Sequence, residues 1–226
     1  MMRFFKKKKP IDLPNFWKDY ATLFEKPFPS DLKDVRYVVL DTETTGFNYE
    51  QDRMLCIGAL KLFHKNIAVK ESFEVYLSQN HYDVESAEIH GILKKENVEY
   101  ITELEALQRF LIYVKNDVIV GHHVMFDVNM INAALERHEL PKLKNQTLDT
   151  GLLYRRTLLN TTVLQKKEHY SLDDLAEKFS ISKKDRHTAL GDALITAIAL
   201  LHIIDKLKPE DLKDLIKKQR PLKYGF

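Results

Sequence analysis

The stretch Val38-Val39-Leu40-Asp41-Thr42-Glu43-Thr44-Thr45-Gly46 is an apolar run that ends in acids and a turn. Residues two apart on a β-strand point to the same face, so the carboxylates of Asp41 and Glu43 are expected to lie together. Carboxylate oxygens are the ligands that Mg²⁺ and Mn²⁺ prefer. Because 33 of the 226 residues are acidic, such pairs are common by chance. The place of this pair, between an apolar strand and a turn that permits close backbone approach, favours a metal site.

A third acid occupies a similar position. Asp127 follows a short apolar strand predicted over Asp117 to Val120, and it lies at the start of a helix predicted over Met125 to His138. On its own, Asp127 is explained as an acid that complements the helix dipole. Ligands in open α/β sheets gather beyond the carboxyl ends of the strands, however, and we therefore expect Asp127 near Asp41 and Glu43.

The last candidate pair is His187 and Asp192, five positions apart. On one continuous helix they would lie about 140° apart, so they converge only if His187 belongs to a loop before the helix. Lys183 to Arg186 provides such a loop, and the helix that follows is rich in small and apolar residues. An unpaired acid buried in that helix would be costly, and a metal would neutralise it.

The same spacing occurs once more, between His169 and Asp174, which shows that the spacing alone is a weak signal. Ser171 precedes Asp174 by three residues, and this pattern is typical of a capping box at the start of a helix. We therefore assign Asp174 a structural role.

Together these residues predict the chemistry of a nuclease. Four carboxylates and one histidine can hold two divalent cations about 3.5 to 4 Å apart, which clamp the attacking and leaving oxygens of a phosphoryl displacement. Imidazole takes up protons near neutral pH, which suits a general base acting on water. The candidate residues are Asp41, Glu43, Asp127, His187 and Asp192.

Periodicity along the rest of the chain predicts an α/β fold. Neighbouring strands are predicted over Val35 to Leu40, Met54 to Phe63 and Ile67 to Leu77, and apolar spacing predicts a helix that ends before Asn116. A further short strand is predicted over Thr147 to Thr150. The other predicted helices cover Asn15 to Glu25, Gly151 to Leu159, Ser171 to Phe179, Thr188 to Lys206 and Pro209 to Gln219.

Composition narrows the class of protein. The net charge is only +2, so any contact with nucleic acid must come from a local patch. The one cysteine, Cys56, lies in an apolar run, which indicates a buried thiol in a reducing compartment. No stretch approaches 18 apolar residues and the N-terminus has no apolar signal-peptide core, so we expect no membrane span and a cytoplasmic location.

Three motifs, in this order, resemble those of the DEDDh, or DnaQ-like, 3′–5′ exonucleases. They are Asp41-Thr-Glu43-Thr-Thr-Gly46, Phe126-Asp127 after Gly-His, and His187-x4-Asp192. The resemblance covers roughly residues 36–204 and includes segments 89–92 and 170–176. Within the family, the chain is most similar to the proofreading epsilon subunits of bacterial DNA polymerase III.

The resemblance implies a ribonuclease-H-like fold with a mixed five-stranded sheet flanked by helices. It also implies release of nucleoside monophosphates from a 3′ end, with two Mg²⁺ or Mn²⁺ ions as cofactors. Asp41 is expected to bridge both ions, while Glu43 and Asp192 complete the tighter site. Asp127 is expected to hold the second ion, and His187 is implied as the general base.

Five more residues are placed by the resemblance around the terminal nucleotide. Thr44 and Phe47 fall where the family binds this nucleotide, with Phe47 positioned to wedge or stack on the base. Ile89 and His90 are expected to line the same pocket. His123 stands where the family usually has Asn, which leaves its polar contact open. Alternatively, Phe47 is a core residue and His90 a turn residue.

The chain is expected to contain three regions: a basic, amphipathic extension over residues 1–34, an exonuclease domain over 35–206, and a C-terminal helix and tail over 207–226. The segment Gln219 to Tyr224 resembles the clamp-binding peptide of epsilon subunits, although a basic, frayed terminus explains it equally well. A polymerase or a sliding clamp is therefore a candidate partner.

The leading hypothesis is a metal-dependent 3′–5′ exonuclease that acts on single-stranded or frayed DNA ends in proofreading or repair. An RNA-trimming exoribonuclease is an alternative, because the same metal chemistry hydrolyses both polymers. A second alternative is a nucleic-acid-binding module without catalytic activity, against which all five candidate site residues argue.

Overall fold

The computed structural model of the protein describes residues 12–79, 98–158, 167 and 169–220. Its helices are α1 (Asn15–Thr22), α2 (Glu103–Val114), α3 (Met125–Arg137), α4 (Thr150–Thr157), α5 (Leu172–Lys178), α6 (Ala189–Leu207) and α7 (Leu212–Lys218), with 3₁₀ turns at Leu23–Glu25 and Val69–Glu71. Its strands are β1 (Tyr37–Thr44), β2 (Met54–Phe63), β3 (Asn66–Ile67), β4 (Phe73–Leu77), β5 (Tyr100–Ile101), β6 (Val118–Gly121) and β7 (Thr147–Asp149).

The acid-bearing strand β1 lies in the middle of a mixed sheet. The strand order is β5-β4-β2-β1-β6-β7, with β3 paired to β2. β1 is antiparallel to β2 and parallel to β6, and β6 is parallel to β7. The carboxyl ends of β1, β6 and β7 therefore meet at one edge of the sheet, where ligands of α/β proteins gather.

Helices cover both faces of the sheet. Val38 and Leu40 of β1 pack into one core with α1, α2 and α3. Tyr37 and Val39 pack into a second core with α4, α5, α6 and α7. Burial on both faces explains why the strand is a continuous apolar run with no polar alternation before its acids.

The predicted α/β class is confirmed, but the predicted strands differ from the observed ones. In the described ranges the sheet has seven strands, and the additional two, β3 and β5, have two residues each. The single strand predicted over Ile67 to Leu77 is wrong, because the backbone folds into the 3₁₀ turn Val69–Glu71 between β3 and β4. In addition, β1 continues to Thr44, so Asp41 and Glu43 lie within the strand.

The segments before β1 and after α6 pack into these same two cores. Trp17 and Tyr20 of α1 are each 3% exposed, and the Tyr20 hydroxyl donates a 2.6 Å hydrogen bond to Asn145 Oδ1. Leu212 and Leu215 of α7 are buried in the second core. The region boundaries at residues 34 and 206 stay predictions.

Two predictions from composition can be compared with the structure. Cys56 is a buried free thiol in β2, as predicted. None of the helices in the described ranges has the length and apolarity needed to cross a bilayer. The cytoplasmic location stays a prediction.

Candidate active site

Asp41 and Glu43 occupy the last half of β1. They share the strand face of Tyr37 and Val39, which is the face that α6 covers. Glu43 is 5% exposed, so its carboxylate is held away from bulk water. The strand thus carries two acids toward the helix that contains Asp192.

Asp127 reaches the end of β1 from the opposite face. It lies in the first turn of α3, and its Oδ1 accepts hydrogen bonds from the Thr42 amide at 2.9 Å and the Thr42 hydroxyl at 2.7 Å. Burial raises the pKa of Asp127 to about 7, although the Thr42 hydrogen bonds oppose the rise. Asp127 is therefore an acid in the first turn of a helix, where it complements the helix dipole, and it is also a neighbour of the β1 acids.

Asp192 lies in the first turn of α6 and is 7% exposed. Its Oδ2 accepts a 2.5 Å hydrogen bond from Arg186 Nη1, whereas its Oδ1 is buried and has no hydrogen-bond partner. Burial raises the pKa of Asp192, and the Arg186 guanidinium opposes that rise. A buried oxygen without a partner is the kind of group that a cation would stabilise.

The charges of the four carboxylates affect one another's ionisation. Burial raises the pKa of Asp41 well above its usual range, and the negative charges of Asp127, Asp192 and Glu43 raise it further. Acids from β1, α3 and α6 therefore lie close enough for their charges to raise the pKa of Asp41.

Two of these acids already have partners in the protein, since Thr42 binds one oxygen of Asp127 and Arg186 binds one oxygen of Asp192. Within the part of the chain that the structure describes, no group of three or more His, Cys, Asp or Glu side chains is already arranged to hold a metal ion. The chemistry of the set fits a hard divalent cation, since every donor is a carboxylate oxygen, the charges repel one another and one Asp192 oxygen lacks a partner.

His187 lies in the loop that leads into α6, as its spacing from Asp192 required. Its φ is 63°, a left-handed conformation, and its side chain is exposed. A backbone hydrogen bond from His187 reaches the Asp192 carboxylate. The loop can fold over the helix because residue 191 is glycine, since a Cβ there would collide with the Asp185 carbonyl.

Gly58 brings α6 close to the acids of β1. It is the β2 residue paired with Asp41, and a Cβ at position 58 would fall on the backbone of Ala189 and Leu190. The first turn of α6 therefore packs directly on the strand next to Asp41. This contact, which no motif predicted, is what brings Asp192 toward the β1 acids.

We expect Gly58→Ala to destabilise the protein by about 2 kcal/mol and to lower activity per folded molecule, because the added methyl pushes α6 and Asp192 away from β1. Denaturant unfolding and initial hydrolysis rates measure the two effects. Ala59→Gly is the matched control, since Ala59 is buried in the other core. Equal activity per folded molecule in both variants would contradict the role assigned to Gly58.

Two functional candidates were missed by the sequence analysis, Arg186 and Asp149. Arg186 was considered only as part of a flexible loop, and no sequence signal links it to its partners across two helices. Asp149 ends β7, and its Oδ2 accepts a 3.0 Å hydrogen bond from Val124 N, at the start of α3. The signal for Asp149 was present, because it stands between a short strand and a helix.

The predicted nucleotide-binding residues lie at the same edge where they are described. Thr44 is buried and donates a 2.8 Å hydrogen bond to the Gly46 carbonyl. Phe47 is 86% exposed, so the alternative that it belongs to the core is wrong, and its ring lies 5.7 Å from that of Phe126. Ile89 and His90 lie outside the described residues.

The two neighbouring histidines before α3 have different roles. The His122 ring is held at 2.8 Å from the Tyr170 carbonyl and 3.0 Å from the Thr150 hydroxyl, and burial lowers its pKa to about 4. His122 is therefore a neutral structural residue. His123 is exposed, with a left-handed φ of 61°, and it lines a cavity together with Phe126.

An acid-bearing central strand, met by acids from helices on both faces of a mixed sheet, defines a nuclease domain. A family model described as exonuclease, of the RNase T type, matches residues 38–200. The chain belongs to this exonuclease family, and it is a DnaQ-like 3′–5′ exonuclease domain, as its motifs predicted.

Similar curated proteins include the PolC-type DNA polymerases III of Streptococcus pyogenes serotype M5 (strain Manfredo) and serotype M1. Each is 29% identical over 205 residues, which are 90% of this chain but 13% of the relative. The chain therefore spans a small part of the length of these polymerases.

Similar solved structures include E. coli exonuclease I in complex with a dA16 oligonucleotide, with a TM-score of 0.65, 18% identity, and coverage of 81% of this chain and 42% of that chain. Cell-death related nuclease 4 (CRN-4) has a TM-score of 0.64, 13% identity, and coverage of 75% and 64%. At these identities the likeness concerns the fold, which is ribonuclease-H-like as predicted.

Proposed function

We propose that this domain removes nucleotides one at a time from the 3′ end of single-stranded or frayed DNA, in proofreading or repair, by metal-dependent hydrolysis. The observation that carries the proposal is the meeting of Asp41, Glu43, Asp127 and Asp192 at the end of β1. The exposed ring of Phe47 lies 5.7 Å from that of Phe126, the residue before Asp127. Similarity to PolC-type DNA polymerases supports DNA as the polymer.

The carboxylates of Asp41, Glu43, Asp127 and Asp192 are the residues that would hold two Mg²⁺ or Mn²⁺ ions. When bound, these ions would supply charge stabilisation to the phosphodiester oxygens during displacement. Thr42 orients the Asp127 carboxylate through two hydrogen bonds, and α6 and β2 hold Asp192 toward β1.

His187 takes the proton from the attacking water in this proposal. The water oxygen forms a bond to the terminal phosphorus, and the bond from phosphorus to the 3′ oxygen of the preceding nucleotide breaks. The products are a nucleoside 5′-monophosphate and a strand shortened by one residue, whose new 3′ oxygen takes a proton from solvent. An exposed imidazole in a loop can both receive and release a proton to water.

Aromatic rings gather at the start of α3 and offer stacking surfaces for the bases of a single strand. The Phe126 ring lies 5.7 Å from Phe47 and 5.9 Å from Tyr49. Phe126 also lines a cavity of about 340 Å³ with His123, Arg155 and His169. Stacking faces beside cationic groups are the usual means of binding single strands without sequence preference.

A comparison of DNA and RNA oligomers tests the proposal. We expect a 5′-labelled single-stranded DNA to shorten stepwise in Mg²⁺ and to remain intact in EDTA, while a circular single strand, which has no 3′ end, is untouched. Faster loss of a matched RNA would assign the domain to RNA trimming. Binding without shortening of either polymer would identify a module without catalytic activity.

We expect Phe47→Ala to raise KM for single-stranded DNA about tenfold with little change in kcat, because stacking on one base contributes about 1–3 kcal/mol. Steady-state kinetics on an oligonucleotide series measures this effect. Phe63→Ala is the control, since Phe63 is a partly exposed ring at the other end of the sheet. An unchanged KM would remove Phe47 from the binding surface.

A polymerase partner is part of the proposal and is supported by the PolC-type relatives. The clamp partner has less support from the described residues. The Gln219 side chain accepts a 3.0 Å hydrogen bond from Asp149 N and donates a 2.9 Å bond to the Thr147 carbonyl, so a clamp that used Gln219 would have to break both bonds. Residues 221–226 lie outside the described ranges.

A further inference from the structure

Arg186 forms ion pairs with two acids, of which Asp192 is largely buried and Asp173 is 43% exposed. Its Nε and Nη2 donate to the two carboxylate oxygens of Asp173 at 2.9 and 3.2 Å, and its Nη1 donates to Asp192 Oδ2. The Arg186 side chain is 15% exposed and that of Asp192 is 10% exposed. The guanidinium is thus anchored by a two-bond fork on Asp173 and extends one remaining nitrogen to Asp192.

The two oxygens of Asp192 are in different situations. Oδ2 carries the bond to Arg186, whereas Oδ1 is buried without a hydrogen-bond partner. Because Oδ1 has no partner, the bonds that this carboxylate accepts compensate only part of the cost of burying it. A metal cation bound to Oδ1 would offset the rest of the burial cost of Asp192. The nearby positive charge of Arg186 would repel this cation.

We propose that Arg186 competes with the divalent cation for Asp192 and that Asp173 restrains this competition by anchoring the guanidinium. The inference rests on the proposed function, because it assumes that Asp192 is a metal ligand. Arg186 is a positioning residue in this scheme, and the balance between its two acidic partners sets the metal affinity of the site.

The scheme predicts opposite effects for two substitutions. Arg186→Gln removes the competing charge, so we expect Mn²⁺ to bind about tenfold to a hundredfold more tightly. Asp173→Asn removes the charge that shares the guanidinium with Asp192, so Arg186 pairs more strongly with Asp192 and Mn²⁺ binding weakens by several-fold. A residue with a merely structural role would weaken binding in both variants.

Stability in EDTA provides a second measurement. Arg186→Gln leaves the carboxylates of Asp41 and Asp192 without their nearby positive charge, so we expect its melting temperature in EDTA to fall by on the order of 5 °C. Saturating Mn²⁺ should restore most of the loss, because the metal supplies the missing charge.

Titration calorimetry with Mn²⁺ on the full chain is the direct experiment. Lys183→Gln is the matched control, since Lys183 lies in the same loop but pairs with Glu177 at 2.9 Å and not with Asp192. The double variant of Arg186→Gln with Asp173→Asn should bind Mn²⁺ as Arg186→Gln alone does. If Arg186→Gln does not fold, unchanged or tighter Mn²⁺ binding by Asp173→Asn would still overturn the proposal.

The outcomes separate this inference from the proposed function. Absence of Mn²⁺ binding by the unmodified protein would overturn both. Binding that Asp192→Asn abolishes, with an affinity that Arg186→Gln leaves unchanged or weakens, would overturn the inference alone. An equal gain in affinity for Lys183→Gln would also overturn it, because the effect would then reflect net charge.

Discussion

Asp41→Asn is expected to abolish 3′–5′ hydrolysis while leaving the fold intact. The substitution removes the carboxylate that lies close to the negative charges of Asp127, Asp192 and Glu43. Loss of several kcal/mol of transition-state stabilisation corresponds to a fall in rate of at least about 10³-fold. Initial rates on 5′-labelled single-stranded DNA, measured at saturating Mg²⁺, provide the test.

The same substitution should stabilise the metal-free protein. Burial and repulsion raise the pKa of Asp41, so keeping this group ionised costs stability in the native state, and a neutral amide removes the cost. Stability falls with rising pH where the native state holds protons that the unfolded chain has released. For the neighbouring Asp127 this window extends from its ordinary value of 3.8 to about 7.

Thermal unfolding in EDTA across this window checks the expectation. The unmodified protein should lose stability as pH rises, and Asp41→Asn should melt at a higher temperature with a weaker pH dependence. Asp117→Asn is the matched control, because burial also raises the pKa of Asp117, which lies near Arg36 and Lys61 at the amino end of β6. Full activity in Asp41→Asn would remove the proposed site altogether.

His187→Ala has the second largest expected effect. A positioned general base contributes about 10²–10⁴-fold to turnover, so kcat should fall by that factor while KM changes little. Because the His187 side chain is exposed in a loop, the melting temperature should stay close to that of the unmodified protein. Single-turnover rates and their pH profile measure the effect.

A second histidine-to-alanine variant serves as the control that separates loss of the general base from other effects of removing an imidazole. His202→Ala removes an exposed imidazole of α6 that stacks on Phe179, away from the acids. We expect normal turnover in that variant, and partial recovery of His187→Ala by added imidazole. A turnover number and a pH profile close to those of the unmodified enzyme would show that His187 is not the base.

Motif order and local chemistry were sufficient for much of the site. Asp41 and Glu43 were predicted to share a face because strand geometry has a period of two, and the structure places both on the α6 face. His187 was predicted to lie in a loop because a helix would separate it from Asp192, and this loop is observed. These predictions depend on spacing within short segments, which tertiary packing does not change.

Contacts between distant segments could not be predicted in the same way. The pairing of Arg186 with Asp173 joins residues 13 positions apart through a loop conformation that no periodicity encodes. The division of the strand predicted over Ile67 to Leu77 has a similar cause, since a short run of apolar residues does not reveal where the backbone turns.

The sequence by itself determined which residues are candidates for the chemistry, because the identity of a carboxylate or imidazole and its distance along a strand are local properties. Only the tertiary structure decided how these residues meet. Gly58 lets α6 pack on β2 beside Asp41, Thr42 receives Asp127 from the opposite face, and Arg186 occupies one oxygen of Asp192. The physical reason is that burial brings charged groups from separate elements into one poorly solvated space, where each charge changes the free energy of ionising the others.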